Sequence, residues 1–198
     1  MKADPIKKIR HIEVDDDSGT DWVKVHLHVP GFQNFGQRMG ELESQAWEAE
    51  GFGEFERTQG VPESERKDFN YRLDDLRVEL PEGVEWNKTA EAAVDRFLAD
   101  WPELRPAVLQ ATFEYYKRIH SDAISYRRDN PGVKFILPES NDPQVVADLF
   151  RVTAIYLHDD DALGLSGPCT WDQEHLWGVL LRKNKVVSVG GWDEGWNG

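Results

Sequence analysis

Between Trp22 and Val29 the side chains alternate strictly: Val23, Val25, Leu27 and Val29 fall on one side, Trp22, Lys24, His26 and His28 on the other. A period of two predicts a half-buried strand. The stretch Ile6 to Val14 is also strand-like, and Asp15-Asp16-Asp17-Ser18-Gly19 between the two is turn chemistry, so a hairpin is expected. Pro30-Gly31 ends it. Residues Phe69 to Leu80 predict another strand, with Tyr71 and Leu73 and then Leu76, Val78 and Leu80 as apolar positions. The change of parity near Asp74-Asp75 predicts a bulge or tight bend.

A helical period takes over at residue 89. Ala90, Val94, Phe97, Leu98 and Trp101 recur at helical spacing behind Thr89, which reads as the N-cap. Pro102 and Pro106 each lack the N–H that a helix interior needs, so the expected break lies after Asp100. A second helix is then expected from about Pro102 to Ile124, with Leu104, Val108, Ala111, Tyr115 and Ile119 in one row. Leu109, Phe113, Tyr116 and His120 form a second row beside it, and the pair makes a stripe wide enough to lie on a sheet.

The last third returns to strands. Val133 to Leu137 is short, Pro143 to Leu149 reads as a helical turn or two, and Phe150 to His158 is rich in β-branched and aromatic residues. After the loop Asp159-Asp160-Asp161, strands are expected at Trp171 to Leu181 and Lys185 to Val189, joined by a two-residue Lys183-Asn184 turn. Strands and helices segregate along the chain. The expected fold is therefore α+β, an antiparallel sheet with a central helical segment packed on one face, in a single domain over residues 1–198.

Composition supports a folded core. Of 198 residues, 39% are hydrophobic, and eight are tryptophans that each bury a large apolar area. The net charge of −14 argues against nucleic acid and against anionic membrane surfaces, and it suits a basic protein partner. Residues 41–82 hold thirteen acidic and five basic side chains, a local balance of −8, much of it in a loop-rich segment at about 41–68. No run approaches 18 apolar residues, and Met1 to Arg10 does not read as a signal peptide, so the expected compartment is the cytoplasm. The single cysteine, Cys169, excludes an intramolecular disulfide.

One segment is chemically dense: Cys169-Thr170-Trp171-Asp172-Gln173-Glu174-His175. Asp172, Glu174 and His175 together would be oxygen and nitrogen ligands for a metal, but neither the calcium-loop pattern nor H-E-x-x-H is present. Cys169 beside His175 would be a nucleophile and its base, but no helix N-terminus is expected there to lower the thiol pKa. The favoured reading is structural: Trp171 packs, Asp172 caps the turn backbone, and the Glu174–His175 pair fixes the start of the next strand. No catalytic set, no metal and no cofactor is assigned from sequence. His26 and His28 share a strand face, and the same structural reading covers them.

The run Trp171-Asp172-Gln173-Glu174-His175-Leu176-Trp177-Gly178-Val179, followed by Lys185 to Gly190, resembles the W-D-x-E-H-G-x-G-V … V-x-x-V-G signature of a bacterial family of unknown function. Phe97-Leu98, Pro102-Glu103-Leu104 and Tyr115-Tyr116 are similar to that family's helical middle. The chain carries Leu176 where the family usually has glycine. The resemblance implies that Trp171, Asp172, Glu174, His175, Gly178 and Gly190 form a structural motif. It also implies a small, acidic, non-catalytic cytoplasmic protein of the kind found among candidate toxin-immunity proteins.

Overall fold

The computed structural model describes residues 8–15, 22–39, 41–42, 75–81, 84–130, 137–158, 161–172 and 175–197. Seven strands form one open sheet in chain order: β1 (Lys8–Asp15), β2 (Trp22–His28), β3 (Asp75–Glu79), β4 (Ala154–Leu157), β5 (Ala162–Gly167), β6 (Trp177–Arg182) and β7 (Lys185–Gly190). Every neighbouring pair is antiparallel except β3 and β4, which run parallel. A parallel pair needs a crossover, and the long helix α1 (Lys88–Asp129) supplies it. Among the described residues two short helices follow α1: α2 (Pro143–Val146) and α3 (Trp192–Trp196). The fold is α+β, with its sheet mostly antiparallel.

The alternation in β2 is borne out. Val23, Val25, Leu27 and Val29 are buried, while Lys24, His26 and His28 are half-exposed on the opposite face. The register carries this parity across the sheet: Val25 pairs with Val78, Val78 with Ile155, Ile155 with Leu165, and Leu165 with Val179. All five are fully buried. They form the sheet's share of one core, whose other wall is α1. Burying such side chains contributes about 1.5–3 kcal/mol each, which is why the parity is so strictly kept.

Four expectations need correcting. The helical region is one helix of 42 residues, about 63 Å long, rather than two. Pro102 and Pro106 lie inside it with exposed rings. Each removes one backbone bond, but Val94, Phe97, Leu98, Trp101, Leu104 and Val108 are all buried across the same stretch, and their packing outweighs the loss. The indole of Trp101 stacks on Phe32 at 5.3 Å and donates to the Gln33 carbonyl at 3.0 Å. Farther along, the Trp177 indole donates to Thr112 Oγ1 at 3.1 Å, tying β6 to the helix.

The N-cap is Asn87, not Thr89: its Oδ1 accepts from the N–H groups of Thr89 and Ala90 at 2.8 and 3.1 Å. Between Phe150 and His158 only Ala154–Leu157 is a strand, with an isolated bridge from Phe150 to Cys169. The strand expected from Trp171 begins only at Trp177, while β5, not expected at all, fills the space before it. The turn at Lys183-Asn184 does form, with both residues at positive φ (49° and 58°), as a two-residue hairpin requires. Most of the acidic segment, the parity change at Asp74 and the Val133–Ile136 stretch lie outside the described residues.

Candidate functional site

The dense segment is a turn that uses its own polar groups. Cys169 is buried, its thiol donates to the Asp172 carbonyl at 3.2 Å, and burial pushes its pKa well above the ordinary thiol range. Burial of this kind disfavours the thiolate and makes a thiol a poor nucleophile. Asp172 Oδ1 accepts from the backbone N–H of His175 at 2.9 Å, and the His175 ring lies against the same carboxylate, Nδ1 being 3.1 Å from Oδ2. The imidazole is mostly exposed, so this pair adds about 0–1 kcal/mol at most. Trp171 is buried against Tyr116 and Phe150. Glu174 lies outside the described residues. Among the described residues no three His, Cys, Asp or Glu side chains are grouped to hold a metal ion.

The turn has a second job. Its His175 carbonyl accepts from the N–H of Trp192 at 2.8 Å, which anchors the first residue of α3. The other end of α3 is held by His158, whose Nε2–H donates to the Gly195 carbonyl at 2.7 Å. Between these two ties the helix lies on the outer face of β5 and β6, opposite α1. It can do so because both surfaces are bare. A Cβ on Gly178 would collide with the Gly191 carbonyl oxygen, and one on Gly195 would stand 2.6 Å from the Leu165 oxygen. Gly178 therefore serves close approach of backbones. The motif position at 176 has a local reason too: Leu176 sits at φ 57°, in the left-handed region that favours glycine.

Seating α3 there builds a groove of about 340 Å³ on the outer face. Trp192 and Trp196 wall it, with Leu176 at one end. Its floor is the polar parity of β2, β3, β4 and β5: Lys24, Arg77 and Glu79, then Tyr156 and Ser166. Glu79 is buried and ion-paired with Arg77, and Lys24 stands opposite it in the ladder. Tyr156 and Ser166 are also buried and share a hydrogen bond of 3.0 Å between their hydroxyls. The Tyr156 phenol is shifted upward, chiefly by burial. Trp196 meets Tyr156 edge-on at 5.3 Å, and Trp192 meets Trp196 at 5.7 Å.

A larger cleft of about 600 Å³ opens on the other side of the sheet, between the first turns of α1 and the carboxyl ends of β3 and β4. Arg96, Asp100, His158, Asp161 and Lys183 reach its rim over an apolar floor that includes Leu80 and Phe97.

Residues 39–196 match a family described as a domain of unknown function, DUF6985. The chain belongs to the DUF6985 family. No curated protein and no solved structure matches it. The sequence motif thus lies within the DUF6985 match, and its turn and glycines are what hold α3 in place. The groove of this DUF6985 chain was not anticipated from sequence. Its signals were present in two places: an i, i+4 tryptophan pair in a glycine-rich tail, and a β2 face carrying Lys24 and His26 rather than apolar residues.

Proposed function

We propose that this protein is a non-catalytic binding protein of the cytoplasm whose partner is a basic protein, in the manner of an immunity protein. The observation that carries the reading is the charge: −14 over 198 residues, with thirteen acidic against five basic side chains in residues 41–82. A field of one sign speeds encounter with an oppositely charged partner and repels wrong ones. The state of the dense segment supports it as well. Its thiol is buried, with burial raising its pKa, and Asp172 and His175 are engaged by each other and by the backbone. Among the described residues no helix is long and apolar enough to cross a membrane.

The test is a pull-down from the native host followed by affinity measurement across salt. The expected result is a basic protein whose binding weakens steeply between about 50 and 300 mM salt. Reversing acidic residues within 41–68 should weaken it further. A salt-insensitive complex, or none, would sink the reading. Stoichiometric metal in protein purified without chelators, lost in Asp172→Ala and His175→Ala, would instead favour a metal-binding module or metal-assisted enzyme at Asp172, Glu174 and His175.

A further inference from the structure

The outer-face groove has properties that the turn chemistry and the net charge do not use. Its deepest polar groups are buried yet border open space: Glu79 is 6% exposed, Tyr156 6% and Ser166 3%. Burying a carboxylate and two hydroxyls beside a groove costs free energy unless partners satisfy them. Here the charged partners come from the protein itself. Arg77 pairs with Glu79, and Lys24 faces Glu79 across the ladder. The Arg77–Glu79 pair cancels, and Lys24 is the one further charge among the described lining residues.

The polar chemistry of the floor is mixed. Arg77 and Lys24 donate, Glu79 accepts, and the Tyr156 and Ser166 hydroxyls do both. The wall is different in kind. Trp192 is 38% exposed, an unusual state for so large an apolar ring, and together with Trp196 it lines the groove. A ligand that suits both surfaces needs no charge to meet the Arg77–Glu79 pair, presents an apolar flat face to an indole, and offers hydroxyls that donate and accept around its edge. A pyranose ring has these properties: its axial C–H groups form the flat face and its equatorial hydroxyls form the edge. The volume of about 340 Å³ is at the lower end of small-ligand pockets and holds one or two such rings.

We propose that the outer-face groove, walled by Trp192 and Trp196 and floored by Arg77, Glu79, Tyr156 and Ser166, binds a neutral saccharide ring. The proposal draws on none of the acidic residues in 41–68, so its test is independent of the protein partner.

The experiment titrates the full-length protein with glucose, galactose, mannose, N-acetylglucosamine and the disaccharides lactose, cellobiose and chitobiose, with glucuronate as a charged comparison. Tryptophan fluorescence and saturation-transfer NMR report binding. At least one neutral sugar should give a saturable response, with ring C–H protons receiving the strongest transfer. Trp192→Ala, at an exposed position that leaves the core intact, should weaken that sugar about tenfold or more. Ser166→Ala should weaken it without changing the far-ultraviolet circular dichroism. Three results would overturn the proposal: no saturable response to any neutral sugar, equal binding by Trp192→Ala and wild type, or binding of glucuronate alone.

Discussion

Gly164 on β5 and Gly195 on α3 meet backbone to backbone: a Cβ on Gly164 would fall far inside van der Waals contact with the Gly195 carbonyl. The obstacle is main chain, which has no rotamer to move away. Gly164→Ala must therefore push α3 off the sheet or bend β5. Overpacking of this kind costs about 1–3 kcal/mol. Urea unfolding should show the loss, and native fluorescence should shift to the red as Trp192 and Trp196 gain water. An unshifted spectrum with full stability would contradict the seating of α3 described here.

Asp172 works in its turn mainly as an acceptor, so two substitutions should separate its charge from its geometry. Asp172→Asn keeps an oxygen for the His175 N–H and gives up the weak, exposed pairing with the imidazole. It should stay within about 0.5 kcal/mol of wild type. Asp172→Ala leaves the N–H without its partner and should cost about 1 kcal/mol. Equal losses in both would mean that the charge, rather than the cap, holds the turn.

Alkaline pH should destabilise the fold through its buried acids. Burial raises the pKa of Cys169 above its ordinary 9.0 and of Tyr116 above its ordinary 10.0. In the unfolded chain these groups lose their protons near the ordinary values, while in the folded chain they keep them. The unfolded state then binds fewer protons, so stability falls as pH rises. The contribution is intact below about pH 9 and declines above it, by up to about 1.4 kcal/mol per pH unit for each proton. Denaturant melts across pH 8 to 11 should show the slope. Cys169→Ala should flatten its lower part and Tyr116→Phe its upper part.

How much of this was legible depends on how locally each feature is specified. The face of β2 was readable because Val23, Val25, Leu27 and Val29 each take their place from parity alone. The turn at Lys183-Asn184 was readable from its neighbours. The strand β5 was not: Gly164 and Gly167 are bare because α3 and the Arg151 backbone crowd them, and with Ala162 and Ser166 they carry little strand signal. The unbroken helix was hidden for the opposite reason. Pro102 and Pro106 argue locally for a break, and tertiary packing overrides it, including that of Trp101 against Phe32, Phe35 and Phe97, two of them distant in sequence. The groove draws on β2, β3, β4, β5 and α3, and no window of sequence contains it. The dense segment's Asp172 cap was legible because the bond from the His175 N–H spans only three residues. Its use of the His175 carbonyl to hold α3 was not, because that bond reaches outside the motif.

Leu176 offers the sharpest test of the motif's turn. Its φ of 57° places a γ-branched residue in the left-handed region, which costs about 1–2 kcal/mol relative to the right-handed one. Glycine removes that cost but adds about 0.5–1 kcal/mol of chain entropy in the unfolded state. The balance favours glycine by about 0–1.5 kcal/mol, less the apolar contact that the half-buried Leu176 side chain makes beside the groove. Leu176→Gly should therefore hold or modestly raise the unfolding midpoint, whereas Leu176→Val, β-branched at the same φ, should lower it by more than 1 kcal/mol. The ordering glycine, leucine, valine is the signature of backbone strain. If valine matched leucine, side-chain contact rather than φ would be setting the stability of this turn.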